Sequence, residues 1–486
     1  METDTRSPTV AERLADFAVA AGRGRTGIPA AVREQAAQRI LDNIGCMIHG
    51  LRVEPARAVA ELAAGLGQGP CHVLSGPPGP LPRTSATAAA LAHGTLAQAF
   101  EMNDLGVYVH PGACIVPAAL AAIDQTGIDQ GGDATVADLV RAVVAGYEVT
   151  VRLSEWVGPA AELEIGWHTP GFHGAVGAAV AAGLLMGADS ATLAQAIVIA
   201  ADIAGGGLMM ARLGSDVKRL HCGRAAETGV LAALLAQRGI RSRLDTIEHK
   251  DWGYVRTMNG GAERHDRSEI ERGLGERFVA FERTAVKYYP VGAEMMGVID
   301  SIGRLKARHG LPPSAIERIA VGTPRFFHTA QAHEYPRGVS EIHFNVEYAA
   351  AMAVLHDIRP VHESPDVLDL WMTGYGDPEV RRLAALVRHE VDEELDRRNP
   401  YGIDSVVEIR LHGGATLREE TRYVRDAGSP GTMRFAPMEQ DKIVRKFRNA
   451  SRHRLPEERQ SAVIGALLDP DGTAAAAAVW QALDTA

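Results

Sequence analysis

The sequence predicts a mainly α protein, with a large all-helical region, a smaller α+β region after it and a helical tail. Three observations carry this. Apolar residues recur at helical spacing from about residue 8 to 275. After about residue 280, stretches appear that alternate apolar with polar residues and use β-branched types. Ala and Gly abound while aromatics make up only 5% of the chain, so helices can approach closely. On this texture the chain divides into a helical domain over 1–280, an α+β domain over 281–430 and a C-terminal segment over 431–486 that returns to the helical domain.

The helical elements follow in order. VAERLADFAVA, AAVREQAAQRILDNIGCMIHG, ATAAALAHGTLAQAFEM and ATVADLVRAVVAGYEVTVRLSEW each place apolar residues on one helical stripe. Thr135 and Ser190 each stand where a helix cap is expected. In the second region, AIERIAVGTP (315–324) and SVVEIRLHGG (405–414) read as strands. HFNVEYAAAMAVLHD and DPEVRRLAALVRHEV between them read as helices. GSPGTMRFAP (428–437) reads as a linker, and EQDKIVRKFRNASRHRL and ERQSAVIGALLD return to helix.

The totals exclude several function classes. A net charge of −10 lacks the basic surface that nucleic-acid binding needs, so a local cation cluster points instead to a small anionic ligand. Cys46, Cys71, Cys114 and Cys222 form no CxxC pair and no zinc-type spacing with His. Free thiols in a reducing compartment fit this pattern, and an iron–sulfur cluster does not. The N-terminus has no basic start followed by an apolar run, so no signal peptide is expected. The apolar run 174–187 is too short to span a bilayer, and 196–211 carries Asp202. A cytoplasmic protein without membrane partners is the expectation.

Polar islands interrupt this apolar chain. AFEMNDLGVYVHPGA (99–113) gathers Glu101, Asn103, Asp104 and His110, which can transfer protons or can simply cap and decorate a loop. EIGWHTPGFHGAVG (164–177) sets His168 and His173 before a helix start, as acid–base groups, anion donors or caps. In VKRLHCGRAA (217–226), Lys218, His221 and Arg224 recur at intervals of three and share a face, which sends Arg219 toward solvent. A solvated basic face is the plain alternative. VKYYPVG (286–292) presents Lys287 beside a Tyr–Pro turn, and EIHFNVEYA (341–349) carries Tyr348, which by itself reads as core.

Taken in order, these islands resemble one family. RILDNIGCMIHG, AHGTLAQAFEMND followed by HPGA, GYEVTVR, GWHTPGFHGAVGAA, KRLHCGRAAETGVLAALLAQRGI, VKYYPVG and HFNVEYAAAMAV are similar to the landmarks of the MmgE/PrpD family. That family includes 2-methylcitrate dehydratase, cis-aconitate decarboxylase and iminodisuccinate epimerase. The resemblance implies an all-helical domain, an α+β lid, a homodimer and a site between the domains that needs no metal or other cofactor. It implies catalytic roles for His110, His168, Lys218, Lys287, Tyr348 and Asp104, with Glu101, Asn103, His221 and Arg224 around the substrate. Three departures stand out. The usual DFDD reads EMND, Leu105 stands where Thr is common, and Gly292 stands where the decarboxylase branch carries His. They point away from cis-aconitate and toward a bulkier or less charged substrate in a specialised, biosynthetic bacterial pathway.

The chemistry implied is proton removal α to a carboxylate. Ammonium groups at Lys218 and Lys287 would stabilise the enolate-like charge as it forms. His110 and His168, helped by Asp104 or Glu101, would move protons, and Tyr348 would donate to the leaving hydroxyl. The expected function is a dehydratase acting on a β-hydroxy di- or tricarboxylate. Epimerisation, decarboxylation and a non-catalytic scaffold follow as alternatives, in that order.

Overall fold

The computed structural model describes residues 7–484 apart from 107, 130–133, 263–265, 401 and 423–436. A layered bundle of helices forms the first part. The helix Lys218–Gln237 lies at its centre, against Pro170–Leu185 on one side and Ala86–Gln98 on the other. Glycine makes these contacts possible. A Cβ built on Gly94 would stand 2.7 Å from Gly223 Cα, and one on Gly177 would stand 2.6 Å from the Gly146 carbonyl oxygen. The abundance of small residues is thus a packing device, since no larger side chain fits where these backbones meet.

Local signals set the helix boundaries. Thr135 caps Val136–Val157 in a reciprocal capping box with Asp138, as its position predicts. Ser190 does not cap; Asp189 does, accepting from Thr192 N, and Ser190 is the first helical residue. The aspartate one position upstream competes better for the orphan amide.

The second part is a four-stranded sheet in the order Val387–Val391, Ile316–Thr323, Ser405–Leu411, Thr416–Thr421. The first pair is parallel and the other two are antiparallel. The helices Ala293–His309 and Val346–Leu355 pack together and cover the sheet. The two predicted strands are present. The predicted helix DPEVRRLAALVRHEV is half strand: it stops at Ala384, and Val387–Val391 pairs with Ile316–Thr323. The linker at 428–437 lies, up to residue 436, outside the described residues.

The tail returns to the helical bundle. Gln440–Ser451 packs on Ala30–Gly50, where Phe447 lies over Gly45. Lys446 on this helix is buried, pairs with Asp42 at 2.7 Å and donates to the Met102 carbonyl. All four cysteines are free and buried. Among the described residues no helix is long and apolar enough to cross a membrane.

Candidate active site

The polar islands meet because one short backbone ladder brings distant segments together. Helix Ala86–Gln98 ends in a loop, and Asp104–Leu105 of that loop pairs antiparallel with Ala285–Val286. The next residue after this ladder is Lys287. The ladder therefore sets Lys287 beside Glu101, although 186 positions separate them. Lys218 enters from the first turn of the central helix. Both ammonium groups reach the same carboxylate: Lys218 Nζ donates to Glu101 Oε1, and Lys287 Nζ lies 3.1 Å from Glu101 Oε2. Gln98 Nε2 also donates to Oε1, at 2.6 Å.

The loop carrying Glu101 is strained and anchored. Glu101 and Tyr108 both adopt left-handed backbone angles, φ 53° and 55°. Such a conformation costs on the order of 1–3 kcal/mol in a non-glycine residue and persists only where the surroundings impose it. Asp104 does much of the imposing. Its carboxylate accepts from Tyr147 OH at 2.8 Å, Gly112 N at 3.2 Å and Asn43 Nδ2 at 3.3 Å. Its backbone carbonyl accepts from His110 Nδ1 at 3.0 Å. A carbonyl can only accept, so Nδ1 carries the ring proton and Nε2 keeps a lone pair.

These groups line a cavity of about 790 Å³, partly open to solvent. Its walls include Glu101, His110, His168, Lys218 and Lys287 from the predicted set, with Phe344, Phe326 and Ile403 from the α+β part. Lys218 Nζ lies 4.8 Å from the centre of the Phe344 ring, and Arg212 lies 4.6 Å from it. His168 is backed by His221, their Nδ1 atoms 2.8 Å apart, so one of the pair donates to the other.

Six residues stand elsewhere than expected. Tyr348 does not line the cavity; it is buried and its hydroxyl donates to the Trp371 carbonyl at 2.9 Å. Asp104 holds the loop from beneath. Asn103 is buried against Gln98, donating at 3.1 Å. Arg224 is on the exposed side of its helix, paired with Glu227. Arg219, expected in solvent, is buried and donates to the Ala99 carbonyl at 2.9 Å. It thereby fixes the end of the helix that leads into Glu101. His173 pairs with Tyr254 OH at 2.8 Å, away from the cavity.

Three wall residues escaped the sequence reading: Glu162, Arg212 and Glu294. Arg212 and Glu294 form a buried ion pair at 2.5 Å. Glu162 has unusual partners. Thr169 Oγ1 lies 2.6 Å from Glu162 Oε2 and 2.5 Å from the Tyr108 carbonyl oxygen. Thr169 has one proton, and the carbonyl has none. Thr169 donates to Glu162 Oε2, and its hydroxyl is shared with the Tyr108 carbonyl, which ties Glu162 to the strained loop. The only sequence signal for it was its place six residues before His168.

Electrostatics sort these groups by protonation. Burial works to raise Glu101, but Lys218 and Lys287 outweigh it and hold the carboxyl well below the usual range. Burial pushes the Glu162 carboxyl up, against the Thr169 contact and Arg212. Burial, then Lys287 and Lys218, hold His110 down to about 3. Burial and Lys218 likewise hold His168 well below its ordinary value. Burial lowers Lys218, with Glu101 opposing. The cavity thus offers a neutral imidazole base, a carboxyl that burial pushes toward its protonated form, and two ammonium groups on one carboxylate. That set can remove a proton next to a carboxylate and protonate a departing group.

Comparison with known proteins fits this geometry. The family model for the MmgE/PrpD N-terminal domain matches residues 12–266, and that for the MmgE/PrpD C-terminal domain matches residues 289–469. The chain belongs to the MmgE/PrpD family. Its relatives include a cis-aconitate decarboxylase of Aspergillus terreus, 26% identical over 441 residues, covering 87% of this chain and 85% of the relative. A cis-aconitate decarboxylase of Homo sapiens is 24% identical over 435 residues, covering 87% and 84%. The cis-aconitate decarboxylase-like protein oryM of Aspergillus oryzae is 28% identical over 293 residues, covering 58% and 59%. Membership in the MmgE/PrpD family and these relatives support an enzyme with a dehydratase- or decarboxylase-like role. Glu101, the first residue of EMND, lies between the two lysines.

Proposed function

We propose that this MmgE/PrpD protein is a hydro-lyase that eliminates water from a β-hydroxy carboxylate without a cofactor. The observation that carries the reading is the convergence of Lys218 and Lys287 on one carboxylate inside a cavity that also holds His110 and the buried carboxyl of Glu162. The substrate carboxylate binds against the two ammonium groups. His110 Nε2 takes the proton from the adjacent carbon, and the charge that develops on the carboxylate oxygens falls beside Lys218 and Lys287. Glu162 gives its proton to the β-hydroxyl, the C–O bond breaks, and water and an alkene result. Transfer of the proton from His110 back to Glu162 through solvent resets the site.

The fixed charge supports a modest anion. Lys218, Lys287 and Arg212 are opposed by Glu101 and Glu294, so with Glu162 carrying the proton this mechanism uses, the walls hold one net positive charge. A substrate with fewer carboxylates than cis-aconitate matches that balance.

Decarboxylation is the second reading, favoured by the printed activities of the relatives. Gly292 speaks against it. A Cβ there would lie 2.6 Å from Glu294 Oε2 and 3.0 Å from the Phe344 ring, so the histidine that the decarboxylase branch carries would have to displace the Glu294 carboxylate and press on Phe344. Incubation with mono-, di- and tricarboxylic β-hydroxy acids in D₂O, followed by proton NMR, tests the proposal. New alkene signals are expected. Deuterium at the α carbon without an alkene would show epimerisation, and CO₂ release would show decarboxylation. No turnover and no thermal shift with any of these acids would leave a scaffold.

A further inference from the structure

Three histidines from separate segments meet at one end of the sheet in the α+β part. His328 comes from the helix Arg325–Thr329, His333 from the loop that follows, and His389 from the strand Val387–Val391. The ring centres are 4.7 Å apart for His328–His333 and for His328–His389, and 5.6 Å apart for His333–His389. One nitrogen from each ring can be chosen so that all three lie within 4.8 Å of one another.

The far side of each ring is already held. His328 Nε2 donates to the His389 carbonyl at 3.2 Å, which leaves Nδ1 with its lone pair. His389 Nε2 is 2.7 Å from Thr323 Oγ1. Its Nδ1 is buried without a hydrogen-bond partner among the described residues, in a residue only 8% exposed. A ring nitrogen sealed from water with nothing to bond is costly unless something binds there. His333 stands with Nε2 3.2 Å from the His328 carbonyl and Nδ1 3.4 Å from Glu347 Oε1. The second oxygen of Glu347 is also buried and unpartnered among the described residues. The carbonyl on His328 and the hydroxyl on His389 fix one nitrogen of each ring, the outer shell that orients histidine ligands on a metal, while one of the two contacts of His333 gives way when it turns to an ion.

We propose that His328, His333 and His389 bind one divalent transition ion of the zinc class, with Glu347 as the carboxylate beside it. Zinc–nitrogen bonds of about 2.0–2.1 Å in a tetrahedron place ligand nitrogens about 3.4 Å apart, so the rings close by about an ångström. His333 is on an exposed loop and can make that movement. The site is separate from the catalytic cavity and no bond-making step passes through it. It pins two segments of the cavity wall. His328 is two residues from Phe326, which lines the cavity, and Ala332, next to His333, donates to the carbonyl of Phe344, another wall residue, at 2.8 Å. The bound ion ties both to the sheet.

Cobalt(II) titration of untagged, chelator-treated protein tests the assignment. One equivalent should give the visible bands of a four-coordinate cobalt site, and zinc should displace them. His333→Ala, at an exposed position where folding is not at stake, should abolish the bands and lower affinity by at least about tenfold, the scale on which even orienting groups act. Zinc should also raise the melting temperature of the parent protein and leave that of His333→Ala unchanged. The His110→Ala protein should keep the bands, which excludes adventitious binding in the catalytic cavity. The proposal is overturned if the parent protein gives no bands, if His333→Ala gives them undiminished, or if only His110→Ala loses them.

Discussion

Glu101 shows how one side chain sets the character of the cavity. It neutralises part of the charge on Lys218 and Lys287 and keeps both pointed inward. Lys218→Ala should lower turnover by about a hundredfold or more, the loss seen when one oxyanion donor is removed. Steady-state rates on the substrate found by NMR check this, and near-normal turnover would refute the role. Glu162→Gln keeps a hydrogen bond to Thr169 but has no proton to give. Its kcat should fall by about 10²–10⁴ while KM changes little. Because His110 is held down to about 3, it stays a base far below ordinary imidazole values. The acid limb of kcat/KM should therefore not fall at about 6.5, the unperturbed histidine value. A midpoint there in the rate profile would exclude His110 as the base. The lysines and His110 were legible because each is part of a local motif. Glu162, Arg212 and Glu294 were not, because a buried acid or ion pair is defined by partners far along the chain. Tyr348 misled in the opposite sense: its motif is present, but its hydroxyl serves Trp371.

Among the elements, the central helix depends on absent side chains. A Cβ on Gly223 would stand 2.2 Å from Thr95 Oγ1 and 2.5 Å from the Leu91 carbonyl oxygen. Gly223→Ala should destabilise the protein by about 1–3 kcal/mol or more through overpacking. Urea unfolding gives the number, and an unchanged midpoint would mean the helices can separate without cost. The same helix carries Lys218 on its first turn, so a shift here should also be felt in turnover. Capping signals and apolar periodicity were readable for most helices. The strand Val387–Val391 was missed because its VRHEV alternation follows a short helix with no Gly or Pro to mark the change. The three-histidine cluster left no trace in spacing, since strand pairing assembles it.

Across the whole molecule, stability should depend on pH through buried neutral histidines. His93, His110, His173 and His343 are each held down to about 3, with burial the largest cause. Their unfolded values lie near 6.5. Between about 3 and 6.5 the unfolded chain therefore binds protons that the folded chain refuses, and stability must fall as pH drops. Glu101, lowered in the fold, adds to this loss at the acid end. Glu162, raised in the fold, opposes it, because its contribution is present at low pH and is lost as pH rises. Asp42, Glu148, Glu155, Glu248 and Asp300, raised by burial, oppose it likewise. His49, His168, His221, His389 and His453 join the lowered histidines, which outnumber the raised acids, so thermal melts should show a falling midpoint from pH 7 to 5. The helical-plus-α+β architecture was legible at this scale because the change in periodicity near residue 280 is sharp. The convergence of the islands was not, because a two-residue ladder between Asp104–Leu105 and Ala285–Val286 creates it.

Lys446 has a consequence for how the protein comes into being. It supports the Met102 carbonyl, one residue past Glu101, from a helix near the end of the chain. During synthesis, the loop that orients the two ammonium groups has Asp104 and its partners but lacks the Lys446 contact until the ribosome has released that helix. A nascent chain stalled before residue 440 should therefore bind carboxylate less tightly. Full carboxylate binding is expected only once the last helices of the chain have packed on the bundle.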